Sequence, residues 1–155
     1  QDMLVGMLEQ QRRTLVRELA FYGKFHRHPV NRALHVALVP LEWLSALLLI
    51  RYAPGGVICP ATVGVAATAY FALLDAGVGL AWAPIQLAMA AGVEALWEAA
   101  GCKYAWLVAV GIQALAWSGQ VGIGHKLIEG NNPGMASQLT AASVVLSPLL
   151  AFYDV

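Results

Sequence analysis

Charged side chains are scarce in this sequence: Asp, Glu, Lys and Arg make up 12% of its 155 residues, and hydrophobic residues make up 59%. Soluble domains usually carry about 25% charged and about 45–50% apolar residues. Because so few polar groups cannot cover the apolar surface in water, an ordinary soluble globule is excluded. The 9 basic and 9 acidic residues balance, so no concentrated basic face is predicted and a nucleic-acid partner is excluded.

Cysteine is also rare, with Cys59 and Cys102 standing alone and without CxxC spacing. A thiolate metal site is therefore not predicted. Two free, buried thiols are the expectation, and pairing in an oxidising compartment is the alternative. The sequence contains no P-loop, HExxH, GxSxG or dinucleotide-binding fingerprint, which removes the enzyme classes that depend on those motifs.

Long apolar stretches are present, and we predict an all-α, integral membrane helical bundle. A bilayer core about 30 Å thick requires roughly 20 helical residues, with about 17 as the lower limit. Five stretches are expected to cross the membrane or re-enter it, and the last, being short, either spans obliquely or re-enters. They are residues 34–50, 57–74, 78–97, 104–124 and 138–153. A single domain over 1–155 is predicted, with 33–155 as the transmembrane bundle.

Residues 1–32 are predicted to hold a surface helix and a first histidine motif. In residues 3–22 an apolar stripe recurs at helical spacing, and charged residues are expected on a wet side. The stripe consists of Leu4, Leu8, Leu15, Leu19 and Tyr22, and the wet side of Arg12, Arg13, Arg17 and Glu18. The helix is expected either to lie on the membrane surface or to pack on the bundle with its polar side in solvent.

The basic residues orient the bundle. Seven of the nine Lys and Arg residues fall before residue 33 or just after the fourth stretch. Under the positive-inside rule both regions are cytoplasmic. The membrane would be the bacterial inner membrane, or the endoplasmic reticulum in a eukaryote.

Four histidines lie at this predicted cytoplasmic edge: His26, His28, His35 and His125. His26 and His35 are nine residues apart, so one straight helix could not aim both at one ion. Pro29 breaks the helix between them, and a new span is expected to begin around Asn31. Asn31, four residues before His35, would cap that span or orient a ligand.

His125 and Glu129 are spaced i,i+4 and are expected on one helical face. Imidazole with carboxylate is typical of non-haem Fe(II) oxygenases, and three imidazoles with a water also suit zinc. We predict a divalent metal site on His26, His35 and His125. The alternative is that these histidines only hydrogen-bond lipid headgroups or loop carbonyls. His28 is expected to face water.

Glu42 lies seven residues beyond His35, on nearly the same face and roughly 10 Å deeper. A carboxylate at membrane depth is costly and is usually functional or paired. Glu42 would line a cavity or make a structural hydrogen bond. The glycines Gly119, Gly122 and Gly124 are expected to form a thin face that lets another helix approach His125.

In its two histidine-containing runs the sequence resembles the 2-hydroxy fatty acid dioxygenase family of fungal α-oxidation and its bacterial homologues. The first run contributes Tyr22, His26, Pro29, Asn31, His35 and Pro40. The second contributes Gln120, Gly124, His125, Glu129 and Pro133, followed by Pro148 and Asp154. Two departures are the additional His28 and an Asp at 154 where the family has the longer Glu.

The resemblance implies an Fe(II)-dependent membrane enzyme that uses O₂ to shorten a 2-hydroxy fatty acid by one carbon, without an organic cofactor. It implies His26, His35 and His125 as metal-site residues, with Glu129 as a further ligand or a group supporting one. Glu129 and Asn31 are then the catalytic candidates. The candidates for substrate binding are Arg27, Arg32, Lys126, Gln120 and Glu42.

Two rivals use the same histidines. One is a zinc-dependent hydrolase acting on a membrane lipid, and the other is a non-enzymatic metal-binding scaffold or transporter. Membrane lipid is an expected partner in every case. A homodimer is also open, since five short helices leave little room for a self-contained core.

Overall fold

The computed structural model describes residues 2–136 and 141–154, and every regular element among them is helical. The all-α prediction is thereby confirmed. The α-helices are α1 (Asp2–Phe25), α2 (Pro29–Ile50), α3 (Pro60–Leu74), α4 (Ala76–Ala100), α5 (Ala105–Trp117) and α6 (Ala141–Phe152). A π-helical segment, Ser118–Glu129, continues α5 without a break, and Gly134–Ala136 form a short 3₁₀ turn.

Within the described residues, three helical stretches are long and apolar enough to cross a membrane: Pro29–Ile50, Ala76–Ala100 and Ala105–Glu129. They correspond to the first, third and fourth predicted spans, while a total of five is not established. The second predicted span is shortened to the 15 residues of α3, because Pro60 drives Cys59 into an extended conformation and delays the helix. The start of the fifth stretch, 138–140, lies outside the described residues.

The bundle is organised around α2, which packs against α4, α5, α6 and the π segment. Its core includes the fully buried side chains of Leu47, Leu48, Phe71 and Val93. α3 and α4 form a tight hairpin because Gly79 has no side chain: a Cβ there would collide with the backbone of Ala72.

The helix α1 packs on the bundle through α3 and α6. Its predicted apolar stripe is present in the described side chains, with Leu15 buried and both Leu19 and Tyr22 packed against the core; the side chain of Leu4 lies outside them. The prediction that Glu18 faces water is wrong, because Glu18 is only 5% exposed. Glu18 lies three residues after Leu15 and four before Tyr22, a spacing that places it on the buried stripe.

At the opposite end of α2, Arg51 pairs with Glu94 over 3.3 Å. Cys59 and Cys102 are both free, as the first of the two expectations had it, but the expectation that they are buried is wrong, because Cys59 is half-buried and Cys102 is exposed.

The π segment brings a glycine-rich surface against α2. A Cβ on Gly119 would collide with Leu38, and one on Gly124 would collide with the side chain of Asn31, whereas Gly122 faces open space. The expected thin face is therefore made by Gly119 and Gly124. The segment ends at Gly130, whose φ of +69° suits glycine.

Candidate metal centre

Three of the four histidines converge where α1, α2 and the π segment meet. One ring nitrogen from each of His26, His35 and His125 lies within 4.8 Å of the others, and the group is of a kind that could hold a metal ion. The ring centroids are 4.2 to 5.1 Å apart. His35 is 6% exposed and His125 2%, so bulk water has little access to two of the three rings.

The break between α1 and α2 makes this convergence possible. α1 ends at Phe25 and α2 begins at Pro29, so His26 lies in the connection and His35 in the second turn of α2. The cap of α2 is His28, whose Nδ1 accepts a hydrogen bond from the Val30 N–H over 3.2 Å. Asn31 is therefore not the cap.

Asn31 instead contacts a histidine through its backbone carbonyl, as the other expectation requires. His35 Nδ1 lies 3.0 Å from the Asn31 carbonyl oxygen, and His26 Nδ1 lies 2.8 Å from that of Tyr22. A carbonyl oxygen only accepts, so in each neutral ring Nδ1 carries the proton and Nε2 keeps a lone pair. This tautomer is the one that binds metal through Nε2.

The protonation of His26 agrees with a ligand role. Burial, and to a smaller extent the neighbouring His35, lower the pKa of His26 to about 3, so the ring is neutral near pH 7. Its Nε2 is buried and has no hydrogen-bond partner. An imidazole donor set with such an orphaned nitrogen fits a divalent transition metal.

Glu129 is placed beside the three histidines but takes part in other contacts. Its Oε1 accepts hydrogen bonds from the N–H groups of Arg27 and His28, at 2.7 and 2.6 Å, and from Asn31 Nδ2 at 3.3 Å. These bonds tie the α1–α2 connection to the end of the π segment. Among the described residues, the group that could hold a metal contains the three histidines without Glu129.

Replacing Glu129 with alanine is expected to lower the free energy of unfolding by about 2 kcal/mol, because two backbone donors lose a charged acceptor. Thermal unfolding in detergent would measure it. The control is Glu98→Ala, which removes an exposed carboxylate at the far end of α4. Equal melting temperatures for the two variants would contradict the role given to Glu129.

A cavity of about 340 Å³ opens beside the histidines. Its wall is mainly apolar, with a few polar groups. The apolar part includes Phe21, Phe25, Val39, Trp117, Val121, Pro133 and Leu150, and the polar part includes Glu18, Glu42 and Gln120. A concave apolar pocket with a few polar groups is the usual form of a small-molecule site.

Two of the five residues predicted to bind substrate lie in this cavity. Gln120 Nε2 donates to Glu42 Oε2 over 3.1 Å, and both residues line the wall. Glu42 therefore both lines the cavity and makes a hydrogen bond, so the two expectations for it hold together.

The three predicted cations are not part of the described cavity lining. Arg32 pairs with Asp154 at 2.7 Å, and Arg27 and Lys126 are exposed. Glu18 does line the cavity, and sequence reasoning missed it. The signal that could have found it is its spacing from Leu15 and Tyr22 on the apolar stripe of α1.

The family model described as 2-hydroxy-palmitic acid dioxygenase Mpo1-like matches residues 12–153, and the chain therefore belongs to this family. No curated protein and no solved structure gave a match.

Proposed function

We propose that this member of the 2-hydroxy-palmitic acid dioxygenase Mpo1-like family is a membrane-embedded, Fe(II)-dependent enzyme that uses O₂ to shorten 2-hydroxy fatty acids by one carbon. The observation that carries the proposal is the meeting of His26, His35 and His125 at an apolar cavity. The substrate class is inferred from the family, and the need for a metal is inferred from the three imidazole groups.

His26, His35 and His125 would hold the ion, and bound Fe(II) would supply the one-electron chemistry that O₂ requires. Glu129 and Asn31 hold the two histidine-bearing segments together, because Glu129 accepts hydrogen bonds from the α1–α2 connection and from Asn31 Nδ2. The Asn31 carbonyl also fixes the ring of His35. We propose that Glu129 and Asn31 keep the three histidines in position.

The cavity wall would receive the fatty acid. Phe21, Val39 and Leu150 present apolar surface, and burial of an alkyl chain contributes about 0.8 kcal/mol for each methylene removed from water. The hydrogen-bonded pair of Gln120 and Glu42 provides polar groups in the same wall and would contact hydroxyl or carboxyl oxygens.

The cations would act outside the cavity. Arg27 and Lys126 are exposed and would attract an anionic fatty acid or a lipid headgroup at the surface. We place this face at the cytoplasmic side of the membrane, where the positive-inside rule puts the basic N-terminal segment.

A zinc-dependent lipid hydrolase is the second candidate, and one observation favours it. The three histidines form a donor set without a carboxylate, and three imidazoles with a water also form a catalytic zinc site. Hydrolysis needs no O₂, which separates the two candidates.

The test is metal analysis of the purified protein, followed by O₂ uptake on adding 2-hydroxypalmitate. We expect stoichiometric iron and O₂ uptake with 2-hydroxypalmitate but not with palmitate, which lacks the hydroxyl group. Zinc without O₂ uptake, with lipid turnover under anaerobic conditions, would favour the hydrolase. Bound metal without turnover would favour the non-enzymatic metal-binding scaffold, and absence of metal would contradict the metal centre itself.

A further inference from the structure

His26 is held between the other two histidines on one side and Tyr22 on the other. The rings of Tyr22 and His26 are stacked, with centroids 3.7 Å apart and an interplanar angle of 11°. The carbonyl of Tyr22 also accepts from His26 Nδ1. Any movement of Tyr22 therefore moves His26, which lies in the short connection after α1 rather than inside a helix.

Tyr22 is itself fixed by a residue at the other end of the chain. Its hydroxyl donates to Asp154 Oδ2 over 3.0 Å, and Arg32 Nε donates to Asp154 Oδ1 over 2.7 Å. We call these three residues, Tyr22, Arg32 and Asp154, the carboxylate clamp. The Asp154 side chain is 13% exposed and that of Arg32 is 43% exposed, so the carboxylate is largely shielded from water while the guanidinium reaches the surface.

The carboxylate clamp connects three parts of the bundle that carry or border the metal centre. Tyr22 belongs to α1, Arg32 belongs to the first turn of α2, and Asp154 follows α6. Arg32 lies three residues before His35, and Tyr22 four before His26. One carboxylate thus links the helical turns that precede two of the three histidines.

We infer that Asp154 is a positioning residue for the metal centre, acting on His26 through the Tyr22 ring. The inference rests on the proposed metal-binding role of His26, His35 and His125. Supporting groups of this kind orient the ligands of metal sites, and their loss usually weakens metal binding by about 10–100-fold.

The protein contains a matched tyrosine–aspartate pair for comparison. The hydroxyl of Tyr153 donates to Asp75 Oδ2 over 2.8 Å. This bond also ties the end of α6 to the bundle, but Tyr153 has no described ring contact with a histidine. Tyr153→Phe therefore removes a tyrosine–aspartate hydrogen bond at a neighbouring residue. The contacts from Asp154 to Tyr22 and from Tyr22 to His26 stay intact.

The experiment measures Co(II) binding, by competition and by its d–d absorption, in the full chain and in four variants. These are Tyr22→Phe, Asp154→Asn, their double mutant and Tyr153→Phe. Tyr22→Phe keeps the stacked ring and loses only the hydroxyl. Thermal unfolding of each variant in the same detergent reports stability separately from metal binding.

We expect Tyr22→Phe and Asp154→Asn each to weaken Co(II) binding about tenfold and to change the d–d spectrum. The double mutant should bind Co(II) about as weakly as Asp154→Asn alone, because Tyr22→Phe removes a link that Asp154→Asn already disturbs. Tyr153→Phe should lower the melting temperature by less, because its hydrogen bond is more exposed, and should leave the Co(II) affinity and the d–d spectrum unchanged.

The possible failures can be told apart. If the unmutated protein binds no Co(II), the proposed metal centre is wrong and the inference falls with it. If the protein binds Co(II) and the two clamp variants match Tyr153→Phe in affinity and spectrum, the metal centre stands and the role of Asp154 is overturned.

Discussion

Replacing His125 with alanine should remove the iron from the purified protein and lower its affinity for Fe(II) by more than about 100-fold. Loss of a group that only supports a ligand already costs about 10–100-fold, and His125 is one of three imidazoles that could bind directly. O₂ uptake on 2-hydroxypalmitate should be lost with the metal. Metal analysis after dialysis against a weak chelator, followed by an oxygen electrode measurement, would test both effects.

The matched control is His28→Asn. His28 is exposed and caps α2 through its side chain, and asparagine can cap a helix in the same way. This variant should keep its iron and its O₂ uptake.

Added imidazole should partly restore metal binding to His125→Ala, because it fits the space that the substitution leaves. Full iron content in His125→Ala would contradict the proposed metal centre.

The features of the site that were predicted correctly are those that residues close together in the sequence determine. Pro29 cannot continue α1, so a break between His26 and His35 followed from the chemistry of proline alone. The charge distribution and hairpin-length connections then placed His125 at the same face. α2 begins at Pro29 and the three rings meet, so this reasoning predicted the convergence of the three histidines correctly.

The contacts of the polar residues were harder to predict, because they depend on distances between helices. Glu18 was assigned to water by its charge, although its spacing on α1 places it in the cavity wall. Arg32 was assigned to the substrate, yet it pairs with Asp154, more than a hundred residues away along the chain. Side-chain type and spacing within one helix carry no information about such a partner.

The π-helical conformation of Ser118–Glu129 was also not predicted from the sequence. The i,i+4 spacing of His125 and Glu129 was evaluated for an α-helix, whereas Ser118–Glu129 is π-helical. π-helical turns are rare and often occur at functional sites. Here the wider turn carries His125 to the histidine cluster and Glu129 to the α1–α2 connection. Both placements depend on how closely the segment approaches α2.

Gly124, the residue before His125, lies where the π segment contacts α2 beside the candidate metal centre. A Cβ on Gly124 would collide with Oδ1 of Asn31, which is fully buried. Asn31 cannot simply rotate away, because its Nδ2 bonds the Phe25 carbonyl and Glu129, each at 3.3 Å. Its backbone carbonyl orients the ring of His35. A single methyl group would therefore disturb both the helix contact and the ligand geometry.

Gly124→Ala is accordingly expected to lower the free energy of unfolding by about 1–3 kcal/mol, the usual cost of overpacking. The variant should also bind Fe(II) more weakly, because His125 is its neighbour and His35 is held by Asn31. Gly122→Ala is the matched control, since it lies two residues away in the same segment and its Cβ would meet nothing within 4 Å. Alanine at 122 should leave melting temperature and metal affinity unchanged or slightly raise stability. If alanine at 124 were tolerated equally well, the close contact between Gly124 and Asn31 could not be what sets the distance between α2 and the π segment.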